Sequence, residues 1–346
     1  MMNQNRWLTI TLLLMLLSAF SISFDTPITA QSDCQTTLSP WTTATSAPYN
    51  HIEGATAVAN NKLYVIGGFK DSALNTSGRV DVYNPQNNVW ETVANPRRAL
   101  PVNLSHAQAA VDGNNIWLIG GFLGKNPGDP TDQVWRYDTV NDQWFAGTKL
   151  PAKRAGGGMA LVGRELHYFG GTSFARNTSY TNHWYLNLDQ LNQGWKTAAN
   201  FPNARIHPAG AGVNGKLYAI GGQTRHDNNP VDLKLVHVYT PATNTWAQKA
   251  SLPMSRSHFE PGTIVYNGRI IIVGGRANQS GEGNGQLKQV TEYNPTNNTW
   301  TELRQLPTKL IAPNATVINN KIIVTTGGTS WNTGQKKTYI STITCN

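Results

Sequence analysis

Asn60-Asn61-Lys62-Leu63-Tyr64-Val65-Ile66-Gly67-Gly68 decides the fold. A polar pair that tolerates positive φ leads into a short apolar run, which ends in Gly-Gly. The run is too short for a helix and rich in β-branched and aromatic residues. It therefore reads as a buried strand entered through a hairpin turn. Gly-Gly returns at Gly120-Gly121, Gly170-Gly171, Gly221-Gly222, Gly274-Gly275 and Gly327-Gly328, at intervals of 50 to 53 residues. Apolar runs such as Ile116-Trp117-Leu118-Ile119 and Leu217-Tyr218-Ala219-Ile220 precede these pairs. A fixed period of about 50 residues means one supersecondary unit stacked many times.

Upstream of each turn lies a stretch of small apolar residues, such as Gly54-Ala55-Thr56-Ala57-Val58, suited to a crowded innermost strand. Downstream of Gly-Gly comes a variable loop, then a third strand ending in an aromatic with a Trp seven positions on. The pairs are Tyr83/Trp90, Tyr137/Trp144, Tyr239/Trp246 and Tyr293/Trp300, while Leu188/Trp195 keeps the spacing without the Tyr. Large aromatics at fixed offsets read as packing between units. Four strands per unit, with Gly-Gly, Tyr and Trp in register, resemble the kelch repeat. The resemblance implies an all-β fold, a six-bladed β-propeller over residues 31–346.

The sixth unit has a third strand near 338–344 but no Trp after it. Trp41 with Thr42-Thr43-Ala44 is expected to supply the missing outer strand from the N-terminal side. Closure of that kind puts the only two cysteines, Cys34 and Cys345, on adjacent strands, so a disulfide between them is expected. Residues 1–30 read as a signal peptide: Arg6, a long apolar core, then Ile28-Thr29-Ala30 as a cleavage site. The expected location is secreted or periplasmic, with no membrane span after the signal is removed, and a monomer is expected. A net charge of +9 without any Lys/Arg run points to an anionic glycan or an acidic protein segment as partner, and away from nucleic acid.

The loop before each inner strand carries an aligned signature counted from its proline (Pro48, Pro101, Pro151, Pro202, Pro253, Pro307). Three residues on stand His51, Leu104, Arg154, Arg205, Arg256 and Leu310. Five residues on stand Glu53, His106, Gly156, His207, His258 and Ala312. These positions are expected to ring the mouth of the central channel. Three readings of the ring stay open. Its Arg and His side chains satisfy backbone carbonyls of neighbouring blades. Alternatively, together with Glu260, they bind an anionic ligand. Or Glu53, Glu260 or a His serves as acid or base. Phe69, Phe122, Phe174, Tyr180 and Trp331 in the loops after Gly-Gly offer platforms for sugars, and Arg225, His226, Arg276, Lys336 and Lys337 add positive charge.

Composition favours the binding reading. No cofactor is expected, and no metal, because arginines on the ring would repel a cation. Among exported enzymes of kelch type, the galactose oxidase propeller needs a Tyr–Cys thioether at copper, and here both cysteines are terminal. The N-acetylneuraminate epimerase family is the better match. That resemblance implies, as the alternative function, an epimerase or mutarotase pairing Glu53 or Glu260 with Arg205 or Arg256; it transfers no catalytic residue.

Overall fold

The computed structural model describes residues 35–174, 176–225, 229–278 and 285–345. The signal-peptide reading, Cys34 and His226 lie outside the described residues. Residues 35–346 form one compact unit. Among the described residues no helix is long and apolar enough to cross a membrane.

Six separate antiparallel sheets contain four or more strands each. The first runs Ala55–Ala59, Lys62–Ile66, Val80–Asn84, Val89–Trp90, and the next four repeat that up-and-down order. Innermost strands adjoin in cyclic order: Ala55–Ala59, Gln108–Asp112, Gly158–Val162, Ala209–Val213, Thr263–Tyr266, Asn314–Ile318, and back to Ala55–Ala59. This is a β-propeller. In the sixth sheet Thr36–Leu38 and Thr42–Ala44 both pair with Thr338–Cys345, so the N-terminal segment completes the sheet. Thr36 lies opposite Cys345.

Repeated contacts tie each sheet to the one before it. In four units the Tyr and Trp are cross-strand partners with ring centroids 4.7 to 5.3 Å apart. Each Trp indole N–H donates to a carbonyl of the preceding unit: Trp90 to Thr45, Trp144 to Arg98, Trp195 to Thr148, Trp246 to Ala199, Trp300 to Ala250. The N–H groups of Thr45, Ala199 and Ala250 donate in turn to Asn88, Asn244 and Asn298, which also accept the Tyr hydroxyls. One residue is thus clipped at both its N–H and its C=O by the following unit. Leu188 has no hydroxyl, so the third unit keeps only the Trp half. Each net hydrogen bond contributes about 1 kcal/mol, and the set recurs around the ring.

Gly-Gly makes a second tie near the axis. The second glycine donates its N–H to a carbonyl of the next unit: Gly68 to Leu104, Gly121 to Arg154, Gly171 to Arg205, Gly222 to Arg256, Gly275 to Leu310, at 2.8 to 3.0 Å. A Cβ at the first glycine would crowd that same carbonyl, for example Arg154 O at 2.7 Å from Gly120. The sixth unit corrects the sequence reading by one residue. Gly327 donates to His51 O at 3.0 Å, closing the cycle. Thr326, at φ +51°, stands where the other units have their first glycine, and Gly328 is not part of the motif. A β-branched residue with positive φ is unusual. The Thr326 hydroxyl accepts a hydrogen bond from Asn314 Nδ2 at 2.7 Å.

Candidate functional site

The residues three past each proline turn into the sheets. His51 Nδ1 donates to Gly67 O at 2.7 Å, and its Nε2 meets the buried Asp81 carboxylate at 2.7 Å. Burial would raise Asp81, but His51 and Arg79 outweigh it and hold the carboxyl at about 2. Arg205 Nε donates to Gly221 O at 2.7 Å and Arg256 Nε to Gly274 O at 2.5 Å. Arg256 also donates to Thr291 Oγ1 and Gln289 O. Each of these three side chains therefore reaches the first glycine of its own Gly-Gly. Burial pushes both arginines down to about 9. Arg154 donates instead to Lys153 O and Asn182 Oδ1, under the Tyr180 ring. None of the three arginines lines the central cavity. The expected arginine ring at the channel mouth is thus not formed, because backbone carbonyls take the donors. The epimerase pairing of Arg205 or Arg256 with a glutamate is not formed either.

The residues five past each proline behave differently. Glu53, His106, Gly156, His207, His258 and Ala312 all take positive φ, between +45° and +59°. Their backbones link around the axis: His106 N–H donates to Glu53 O, His207 N–H to Gly156 O, Ala312 N–H to His258 O. All six positions share αL backbone, and Gly156 is the residue type that adopts it without strain. Because Gly156 has no side chain, the His106 and His207 rings approach to 5.2 Å. His207 stacks on His258 at 3.9 Å. Glu53, His106, His207 and His258 are all buried.

The belt is wired to Glu260 and Arg276, which the sequence singled out, and to Ser105, Ser257 and Asp232, which it did not. His207 Nδ1–H donates to Glu260 Oε1 at 2.7 Å. His258 Nδ1 bonds Ser257 Oγ at 2.7 Å, and that hydroxyl donates to Asp232 at 2.6 Å. His106 Nδ1 bonds Ser105 Oγ at 2.9 Å. Arg276 reaches Gln223 at 2.9 Å and Asp232 at 3.4 Å. Burial, reinforced by Glu260, lifts Glu53 to about 8 against the pull of His207 and Arg276. Burial would lower His207, but Glu260 and then Glu53 outweigh it and raise the imidazole. The belt abuts a channel cavity of about 420 Å³ lined by small residues of the inner strands, with Glu260 the only charged lining residue among the described residues.

The same face carries an outer rim. Loops before the inner strands bridge to loops after Gly-Gly, as Ile52 to Phe69 and Ala155 to Thr172. Tyr49 is 46% exposed with Arg79 3.7 Å and Lys336 5.9 Å from its ring. Phe174 is 59% exposed beneath Lys153, and Trp331 is 42% exposed. Phe69 and Phe122, expected as platforms, are instead buried edge-on against His106.

Two family models match this chain. The model described as attractin/LZTR1 beta-propeller matches residues 116–344, and the Kelch motif matches residues 54–97. The chain belongs to the attractin/LZTR1 β-propeller family. It is similar to a kelch repeat-containing protein of Arabidopsis thaliana, 28% identical over 68% of this chain and 58% of that protein. It is also similar to kelch-like protein 38 of Rattus norvegicus, 27% identical over 77% of this chain and 42% of that protein. The chain thus spans about half the length of these relatives. The solved structure of YjhT shares the fold, with a TM-score of 0.68 at 15% identity, over 88% of this chain and 99% of that one. The kelch reading of the repeat therefore stands, and a kelch propeller supports an interaction role.

Proposed function

We propose that this propeller is an exported binding protein whose rimmed face holds an acidic segment of a partner protein. The observation that carries the reading is the set of exposed aromatics, two of them with cations over the ring: Tyr49 with Arg79 and Lys336, Phe174 with Lys153, and Trp331, whose ring lies 5.6 Å from His258. Flat rings offer contact area, and the cations offer charge-assisted donors to carboxylates. The net charge of +9 adds electrostatic steering. An anionic glycan is the second reading, supported by the exposed flat rings of Phe174 and Trp331.

Titration of the protein with a fluorescent oligoglutamate, and separately with oligogalacturonate, tests this at two salt concentrations. The oligoglutamate is expected to bind more tightly, with affinity falling as salt rises. Lys153→Gln with Lys336→Gln and Trp331→Ala should weaken binding at least tenfold. Unchanged affinity in that variant, or no binding of either ligand, sinks the reading.

Export goes with a Cys34–Cys345 disulfide. Support comes from the pairing of Thr36 with Cys345, and from Cys345 not standing as a free thiol. Thiol titration of the unfolded, unreduced protein should find none, and reduction should cost about 2–4 kcal/mol of stability. Two titratable thiols would refute the bridge.

A further inference from the structure

We propose that Glu53, His106 and His207 form a binding site for a first-row divalent metal ion of the zinc type, at the axial belt. One donor atom from each of the three side chains lies within 4.8 Å of the others, and all three residues are buried. Two imidazoles and one carboxylate are the donor set that borderline divalent ions favour. The residues come from the lead-in loops of three different sheets, so a bound ion cross-links the ring at its axis.

Three features beyond proximity point to a cation. Glu53 is 3% exposed, and its Oε1 makes no hydrogen bond among the described residues. His258 Nε2 stands 3.9 Å from it, too long for a hydrogen bond. A buried carboxyl oxygen in that position is costly unless a ligand meets it. Second, Glu260 accepts from His207 Nδ1 at 2.7 Å, which orients the ring toward Glu53 and His106. Carboxylate–histidine–metal chains have this form, and the outer carboxylate raises the basicity of the ligand. Third, Ser105 Oγ bonds His106 Nδ1 at 2.9 Å and holds that ring in place.

The electrostatic objection raised by the sequence does not hold for Arg154, Arg205 and Arg256, whose guanidinium groups are spent on backbone and side-chain oxygens elsewhere. Arg276 is the one arginine that acts on Glu53 and His207, and it is drawn toward Asp232. Glu260 remains to favour the cation, and Glu53 gives up its proton when the ion binds. Entry runs through the channel cavity, which reaches Glu260. Donors around zinc at about 2.0–2.1 Å stand closer together than in this structure, so binding draws the three side chains inward by small rotamer changes.

The test uses the full chain, stripped with a chelator and dialysed. Zn²⁺ is titrated calorimetrically, and Co²⁺ is followed by its visible absorption. The expected result is one equivalent per chain and a higher unfolding midpoint with metal. Glu53→Gln should weaken Zn²⁺ at least tenfold, His106→Gln with His207→Gln should abolish uptake, and Glu260→Gln should weaken it 10–100-fold through His207 alone. Circular dichroism in chelator checks that each variant folds. X-ray absorption of the zinc-loaded wild type provides a reading independent of any variant, and two imidazoles in its first coordination sphere are expected. The proposal is overturned by no uptake in the wild type, or by uptake that persists in Glu53→Gln and in the double histidine variant. The buried His167–His183 pair is the competing site such persistence would indicate.

Discussion

Gly121→Ala lowers the unfolding free energy by about 3 kcal/mol or more, whereas Gly163→Ala costs about 1 kcal/mol. Gly121 sits at φ +105°, beyond the left-handed region that L side chains tolerate, and a Cβ there would lie 2.6 Å from Ser105 O. The obstacle is backbone, so no side chain can swing aside. Relaxation would have to move the Ser105-His106 segment, which belongs to the axial belt, and the Gly121 N–H that docks on Arg154 O in the next unit. Gly163 also has positive φ, +58°, but lies in a hairpin turn with nothing within 4 Å of its added Cβ. It therefore isolates the conformational cost from the cost of close approach. Urea unfolding of the two variants, followed by Trp fluorescence, separates them. Equal losses would mean that Gly-Gly serves only local turn geometry and does not join the units.

The second large effect is at Arg256. Arg256→Leu removes donors from Gly274 O, Gln289 O and Thr291 Oγ1 in a fully buried setting. Gly274 O is left buried without that donor, at about 1–3 kcal/mol, while Gln289 O keeps the Gly274 N–H at 3.0 Å, and the lost stem packing adds to the loss. The expected total is about 3 kcal/mol. Whatever fraction stays folded should bind an anionic ligand as the wild type does. Weaker binding with undiminished stability would restore the arginine to the ligand site. Chemical unfolding and ligand titration of one preparation read both quantities.

The architecture was legible because the contacts that join the units recur with them. Gly-Gly, Tyr and Trp appear at fixed offsets since each unit docks on its neighbour in the same way, through the Trp90 to Thr45 type of bond and the Gly68 to Leu104 type. The completion of the last sheet was legible from the missing outer strand of the sixth unit. The displaced motif of that unit was hidden by Gly328, which follows Gly327 by accident of sequence. Counting from the turn exposes it: Gly67 lies six residues after Asn61, and Thr326 lies six after Asn320.

The aligned loop signature marked two positions that recur with a shared backbone role, but not the directions of their side chains. His51 and Arg256 share a position because both answer the same kind of carbonyl, which a count of cations cannot reveal. Glu53, His106, His207 and His258 share another because that position turns left-handed, and Gly156 was the one hint of it. Their partners Ser105, Asp232, Ser257 and Glu260 come from neighbouring positions or from other units. Only the assembled ring brings such groups into contact. Phe69 and Phe122 looked like platforms from composition, yet the same ring folds them against His106.

Hydrogen exchange of the protein with and without the oligoglutamate tests the central claim most directly, since it reads which face is occupied. Protection is predicted in the loops over 48–54, 69–79, 172–174 and 328–337, which form the rimmed face. Protection confined to the opposite-face turns, at Asn60-Asn61, Asn84–Asn88 and Val140–Asp142, would contradict the account.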